Sequence, residues 1–281
     1  MQKIAIRSIE KLDFRTKEAY KILRTNLSFA GKNVKVVSLT SCTPNEGKTS
    51  VSFQLAMSMA EGGWKTILVD ADLRKSVLRG RYKASREKFG LSHYLSGQST
   101  LEDVICETNI ENFHIIFAGP VPPNPSELLG NDNFKEMIKR LREEYDYVII
   151  DTPPLGSVID GAVVSASCDG AVIVVESNAV SYKFVQSVKE QLEKAGVRIL
   201  GCVLNKVNMN VKGYYGKYYE KYYGSYYGSY YGNDSEGEMP LETATPVKKG
   251  KDQASGKERE EQNAKPDEGE EVADFDLLEE S

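Results

Sequence analysis

The chain has 281 residues, a formal net charge of −5 and a mean hydropathy of −0.42. This length is enough for one sizeable α/β domain with its own core, and no apolar run approaches the roughly 20 residues that span a bilayer. The four cysteines are scattered, with neither CxxC pairs nor metal-ligand spacing, so neither a disulfide framework nor a cysteine metal site is expected. These features favour a cytoplasmic protein without a transmembrane segment of its own.

The first predicted element is an amphipathic helix over residues 16–30. Its apolar and aromatic side chains alternate with charged ones at helical spacing,. Such a helix either packs on its own domain or docks against a neighbouring subunit, and the sequence leaves both interpretations open.

Six short apolar segments rich in β-branched residues predict buried parallel strands. They comprise residues 34–39, 66–69, 113–117, 147–150, 171–175 and 199–204. Helical patterns lie between them, notably at residues 49–61, 133–144 and 181–195. This alternation predicts a doubly wound, mostly parallel α/β sheet of about six or more strands.

A phosphate-binding loop follows the first of these strands and leads directly into a helix. Its pattern is GxxxxGK[ST] with Cys42 in place of the first glycine,. Gly47 lets the backbone approach phosphates, Lys48 neutralises their β and γ oxygens, and the Thr49 hydroxyl is a Mg²⁺ ligand. The predicted ATP-binding residues of the loop are Cys42, Thr43, Pro44, Asn45, Glu46, Gly47, Lys48, Thr49 and Ser50.

Three aspartates stand at the ends of two other predicted strands, where open α/β sheets bind their ligands. Asp151 ends an apolar run as in a Walker B motif, which holds Mg²⁺; a cap or turn aspartate is the alternative. Asp70 and Asp72 lie on one side of an extended segment,. One of these two carboxylates can hold Mg²⁺ while the other accepts a hydroxyl proton.

Ten tyrosines in five adjacent pairs occupy residues 214–231, with glycines between them that argue against a stable helix,. We interpret this low-complexity segment as a set of phosphoryl acceptors beside the P-loop domain. The alternative is an aromatic segment for adhesion or for stacking on RNA or sugars. The acceptors are Tyr214, Tyr215, Tyr218, Tyr219, Tyr222, Tyr223, Tyr226, Tyr227, Tyr230 and Tyr231.

The remaining residues form an acidic tail. Residues 232–281 carry 16 acidic and 6 basic side chains, whereas the preceding part of the chain has a net charge of +5. This composition, with Phe275 as its one aromatic residue, cannot bury enough apolar surface to offset the entropy lost on ordering. We therefore predict a disordered tail.

Together these features resemble the bacterial tyrosine autokinases of capsule and exopolysaccharide synthesis, in the form whose kinase domain is a separate cytoplasmic chain. Glu18, Lys21 and Arg24 are similar to the family's ExxRxxR element, with lysine replacing its first arginine. The segment DADLR, residues 70–74, matches its second acidic motif, and residues 119–129 match its proline-containing loop. In the P-loop, Asn45 replaces a frequent glycine.

The resemblance implies roles for individual residues. Asp70 assists deprotonation of the attacking tyrosine, Asn205 contacts the adenine, and Glu18, Lys21 and Arg24 serve oligomerisation. Catalysis would involve Lys48, Asp70, Asp72 and Asp151, and Mg²⁺ would be held by Thr49, Asp72 and Asp151.

The resemblance also implies partners. The first is other copies of the chain, in a ring-like homo-oligomer that exchanges tails in trans. The second is a transmembrane polysaccharide co-polymerase that activates the kinase at the inner face of the cell membrane. The third is a cognate tyrosine phosphatase. Several phosphates on residues 214–231 would repel one another and the acidic tail, so we hypothesise that phosphorylation releases the ring. No motif for nucleic acid is present.

We therefore expect four segments and one main function. The segments are an N-terminal oligomerisation segment, 1–30, a P-loop kinase domain, 31–211, a tyrosine-rich segment, 212–232, and an acidic tail, 233–281. The expected function is ATP-dependent tyrosine autophosphorylation that regulates capsular polysaccharide polymerisation or export. The alternatives are a partition or septum-site ATPase, against which the lack of a KGGxGK lysine argues, and a non-catalytic nucleotide-binding regulator.

Overall fold

The computed structural model describes residues 1–85 and 87–208. The tyrosine-rich segment and the acidic tail lie outside the described residues. The strands are β1 (Gln2–Lys3), β2 (Val36–Ser41), β3 (Thr66–Asp70), β4 (Cys106–Glu107), β5 (Phe113–Ile116), β6 (Tyr147–Asp151), β7 (Gly170–Glu176) and β8 (Ile199–Asn205). The helices are α1 (Phe14–Phe29), α2 (Lys48–Glu61), α3 (Leu78–Arg81), α4 (Leu91–Leu95), α5 (Leu101–Val104), α6 (Pro125–Gly130), α7 (Asp132–Glu144), α8 (Asp160–Ser165) and α9 (Tyr182–Lys194).

The strands form one eight-stranded sheet in the order β1-β4-β5-β3-β6-β2-β7-β8. Neighbouring strands are parallel except for the β4–β5 pair, which is antiparallel. The predicted α/β class with a doubly wound, mostly parallel sheet is thus confirmed. The P-loop strand β2 lies beside β6, whose last residue Asp151 is in register with Leu39 of β2 and with Asp70 of β3.

All six predicted strands occur within two residues of their expected ends. They were recognisable because the central strands are covered on both faces, so that every residue of β2 and β3 is buried,. The three helices predicted between strands are also present, as α2, α7 and α9. Strands β1 and β4 were not predicted, because each has two residues and thus no readable period.

Helix α1 begins after Asp13, whose side chain accepts a hydrogen bond from Thr16 N at 2.7 Å,. Leu27 is the one fully buried side chain of this helix. Arg24 points to its own domain, donating to Ser58 O of α2 at 2.6 Å and lying 5.6 Å from the Trp64 ring centre. These contacts show that Arg24 packs against its own domain. The docking of α1 on a neighbouring subunit stays a prediction.

Among the helices of the described residues, none has the length and apolar character needed to cross a membrane.

Candidate active site

The loop between β2 and α2 has the backbone of a phosphate cradle. Asn45 and Gly47 adopt left-handed conformations, with φ of 70° and 89°. The left-handed φ favours glycine at position 47, and a Cβ atom there would lie 2.1 Å from Asn205 Nδ2 and displace that side chain. Helix α2 begins at Lys48. The backbone N–H groups of its first turn and the positive end of its dipole therefore point towards the loop.

Contacts from β7 and β8 hold this loop in place. Glu46 is buried; its carboxylate accepts hydrogen bonds from the Thr43 backbone and hydroxyl, and from Glu176 N at 3.0 Å. Asn205 Nδ2 donates to Glu46 O at 2.8 Å, and Lys206 Nζ donates to Asn45 O at 2.7 Å. Asn205 is therefore a support of the P-loop backbone, and its contact with adenine stays a prediction.

Asp151 is the centre of a buried polar network. Lys48 Nζ lies 2.6 Å from Asp151 Oδ1, with the two side chains 6% and 1% exposed. Thr49 donates to Asp151 Oδ2 at 2.7 Å, and Ser52 donates to Oδ1 at 3.0 Å. The structure thus brings together three of the residues proposed from the sequence. It adds Ser52, one helical turn beyond Lys48, which was not predicted.

Asp70 ends β3 beside this network. It is 1% exposed and accepts a hydrogen bond from Ser76 Oγ. Burial, followed by the charge of Asp151, raises the pKa of Asp70 to about 7, although Ser76 and Lys48 oppose the shift,. Asp72 is more accessible, and its carboxylate accepts from Lys75 N at 2.9 Å. The two carboxylates therefore differ: one is a buried group that titrates near neutrality, and the other faces the cleft.

A cleft of about 660 Å³ opens over the P-loop, within the range of sites for small ligands. Its walls include Lys48, Asp72, Arg74 and Lys75. Gln54 also lines it; this side chain is 2% exposed, and neither amide atom has a hydrogen-bond partner within the described part of the chain. A buried amide without partners is costly, so the cleft fits a polar ligand.

Arg74 and Asp160 form an ion pair that the sequence did not reveal. Arg74 Nε and Nη2 bond to the Asp160 carboxylate at 2.7 and 3.1 Å, and Ser126 Oγ donates to the same carboxylate at 2.6 Å. Burial opposes ionisation of Asp160, but the bonds from Arg74 and Ser126 hold its pKa below the usual value,. The sequence pointed to Arg74 through the motif DADLR but gave no sign of its partner, because Asp160 lies 86 residues further along the chain.

The oxygen donors of the site fit Mg²⁺. Thr49 and Asp151 bring a hydroxyl and a carboxylate together, and Asp72 lines the same cleft. Within residues 1–85 and 87–208, no group of three or more His, Cys, Asp or Glu side chains could hold a metal by itself. Protein sites for Mg²⁺ commonly use one or two carboxylates and are completed by substrate phosphates and water, which matches this donor set.

The sequence relatives named here are tyrosine-protein kinases, and the solved structures include a tyrosine kinase domain. The model of the AAA domain family matches residues 34–200. Tyrosine-protein kinase CpsD of Streptococcus agalactiae is 45% identical over 208 residues, which cover 72% of this chain and 91% of that protein. Putative tyrosine-protein kinase CapB of Staphylococcus aureus is 34% identical over 206 residues, or 71% and 90% of the two chains.

Among solved structures, the chimerical protein CapA2B2 is 34% identical with a TM-score of 0.67, covering 72% of this chain and 92% of that one. The kinase domain of Escherichia coli tyrosine kinase ETK is 37% identical with the same TM-score, over 70% and 78%. The cell division ATPase MinD of Pyrococcus furiosus is more distant, at 27% identity and a TM-score of 0.54 over 63% and 74%.

Proposed function

The chain belongs to the family of bacterial P-loop tyrosine-protein kinases of capsule synthesis, and from this premise we propose that it transfers the γ-phosphoryl group of ATP to tyrosine hydroxyls. The observation that carries this proposal is the juxtaposition of Lys48, Thr49 and Asp151 under the P-loop with Asp70 beside them. A phosphate-binding cradle and a carboxyl suited to proton transfer thus share one end of the sheet. The first binds the phosphoryl donor, and the second can accept the proton of the hydroxyl that is phosphorylated.

The P-loop residues bind and orient the triphosphate. The N–H groups around Gly47 and the start of α2 face phosphate oxygens, and Lys48 supplies a compact positive charge,. Asp151 holds the Lys48 ammonium at 2.6 Å, so the charge is positioned before the substrate arrives. Such preorganisation stabilises charge that develops during phosphoryl transfer.

Asp70 is the proposed proton acceptor. A base works best when its pKa lies near the working pH, and burial brings the pKa of Asp70 to about 7. In the proposed step the tyrosine oxygen forms a bond to the γ-phosphorus, the bond to the β-phosphate bridging oxygen breaks, and ADP leaves. The phenolic proton passes to Asp70.

Mg²⁺ is the proposed metal, held by Thr49, Asp72 and Asp151. When bound, it would neutralise the phosphate charge that the lysine alone leaves uncompensated.

The proposed acceptors are the tyrosine pairs of residues 214–231, which belong to the same chain and supply ten hydroxyls. Many equivalent hydroxyls on one chain can serve as substrates for another copy, so we propose phosphorylation in trans within a homo-oligomer. Oligomerisation through Glu18, Lys21 and Arg24 is part of this proposal; Lys21 Nζ bonds to Glu18 at 2.6 Å in the single chain.

The proposed biological role is regulation of capsular or exopolysaccharide polymerisation or export. A transmembrane co-polymerase that activates the kinase at the membrane and a cognate tyrosine phosphatase complete the proposal. They rest on the family resemblance.

The reaction products separate a kinase from a nucleotide switch of the septum-site type. We expect the purified chain, incubated with ATP, Mg²⁺ and a cytoplasmic fragment of the proposed activator, to accumulate phosphotyrosine and to form one ADP for each phosphotyrosine. The measurement combines phosphotyrosine immunodetection with ADP quantification. Formation of ADP and free phosphate without phosphotyrosine would contradict the proposal and favour a switch ATPase.

A further inference from the structure

One buried carboxylate connects the three segments that follow β3, β5 and β6. Asp160 begins α8 after β6, Arg74 follows β3, and Ser126 lies in the first turn of α6 after β5. We propose that Asp160 and Ser126 are positioning residues that orient the Arg74 guanidinium towards the phosphoryl group in transfer, which makes Arg74 a catalytic residue. This inference rests on the proposed kinase function and adds three residues to it.

Arg74 and Asp160 form a bidentate ion pair. Arg74 Nε and Nη2 approach the two oxygens of Asp160 at 2.7 and 3.1 Å, and Nη2 also donates to Ser126 Oγ at 2.9 Å. Ser126 in turn donates to Asp160 Oδ1 at 2.6 Å. A bidentate pair of this kind fixes the plane of the guanidinium as well as its position. A lysine could not reproduce it.

The network leaves part of Arg74 for another acceptor. A guanidinium has five N–H donors, and the three bonds use the Nε donor and the two on Nη2. The two donors on Nη1 are outside this network. Arg74 is 40% exposed and lines the same cleft as Lys48, Thr49 and Asp72, so an anion bound there meets a cation that is already oriented.

The environment of Asp160 suits a positioning role. The side chain is 0% exposed, and a buried charge persists only when it is paired and hydrogen-bonded. Within residues 1–85 and 87–208, its side-chain partners are Arg74 and Ser126. Because Arg74 lines the cleft, loss of the Asp160 charge changes the orientation of a cation that faces the bound ligand.

The experiment compares Asp160→Asn with the intact chain. Asparagine keeps the shape and one acceptor oxygen but removes the charge that fixes Arg74. We expect the rate of phosphotyrosine formation at saturating ATP to fall about tenfold or more, while the Kd for ADP stays within about twofold. Arg74→Lys should likewise lower the rate without changing the Kd for ADP, and its rate should fall further, by about a hundredfold. Ser126→Ala should lower the rate less than Asp160→Asn does.

Asp169→Asn is the matched control, because Asp169 also pairs with an arginine, Arg142, and caps the start of the P-loop strand through Lys35 N and Val36 N. It should lower the melting temperature without lowering the rate per folded molecule. An Asp160→Asn rate equal to that of the intact chain, or a loss seen only in the KM for ATP, would overturn the inference. Failure of the kinase proposal itself looks different, since the intact chain would then form no phosphotyrosine.

Discussion

Replacing Lys48 with methionine should lower the rate of phosphotyrosine formation by about a hundredfold to a thousandfold or more. The lysine is the cation placed deepest in the cradle, 6% exposed and 2.6 Å from Asp151. Methionine has similar length but no charge, so the phosphate oxygens lose a preorganised counter-charge. The measurement is the initial rate of phosphotyrosine formation at saturating ATP.

The Lys48→Met chain should also be less stable without nucleotide, because Asp151 and Asp70 remain as two buried carboxyl groups without their cation,. Lys65→Met is the matched control. Lys65 pairs with Glu144 at 3.2 Å and is 42% exposed, so its loss should change neither rate nor folding appreciably. A Lys48→Met chain that retains more than a tenth of the rate would contradict the assigned role of the lysine.

Replacing Asp70 with asparagine should have opposite effects on activity and stability. The rate should fall about 10²- to 10⁴-fold, because the proton acceptor is removed. The amide can still accept the hydrogen bond from Ser76. Meanwhile the nucleotide-free protein should gain stability at pH 8, on the order of 2–4 kcal/mol, since a buried carboxylate no longer has to ionise,.

The pH dependence of this gain follows from the direction of the shift. The pKa of Asp70 lies above the value of a free carboxyl group, so between about pH 4 and pH 7 the folded state binds more protons than the unfolded state,. Its contribution to the unfolding free energy therefore falls as pH rises through this window. Melting temperatures of Asp70→Asn and of the intact chain should converge near pH 4 and differ most above pH 7.

Asp146→Asn is the control for this comparison. Asp146 is exposed, and its carboxylate accepts from Lys65 N at 2.9 Å. Because this carboxylate is exposed, its replacement should neither stabilise the folded protein nor lower the rate. An Asp70→Asn chain that melts below the intact chain at pH 8 would show that the Asp70 carboxylate stabilises the fold, contrary to the burial argument.

The sequence predicted the sheet and the phosphate cradle because both depend on local signals. Strands covered on two faces appear as continuous apolar runs, and a P-loop needs Gly47, Lys48 and Thr49 in adjacent positions,. Asp151 was found for the same reason, since it directly ends such a run. These signals all lie within a few residues of the side chain that they identify.

The residues that were missed act through contacts distant in sequence. Asp160 meets Arg74 across 86 residues, Ser126 meets Asp160 across 34, and Ser52 meets Asp151 across 99. An aspartate at the start of a six-residue helix has the ordinary composition of a helix N-terminus,. Only the topology, which brings the segments after β3, β5 and β6 together, distinguishes Asp160 from such a residue.

Asn205 and Arg24 show how structure refines a role taken from a motif. Asn205 was assigned to adenine by resemblance, and its side chain also supports the P-loop through Glu46 O. Arg24 was assigned to oligomerisation, and in the single chain its guanidinium bonds to Ser58 O. In both cases the resemblance identified the residue. Its contact partner could not be predicted, because that partner is brought close only by tertiary packing.

The most direct test of the proposed autokinase is to locate the phosphate on the chain by mass spectrometry after incubation with ATP, Mg²⁺ and a cytoplasmic fragment of the proposed activator. The chain contains its own control, since Tyr182 is 76% exposed but lies outside residues 214–231. We predict phosphate on several tyrosines of residues 214–231, none on Tyr182, and none anywhere in Lys48→Met. Absence of phosphate from all ten tyrosines of the segment, or equal phosphate on Tyr182, would contradict the account.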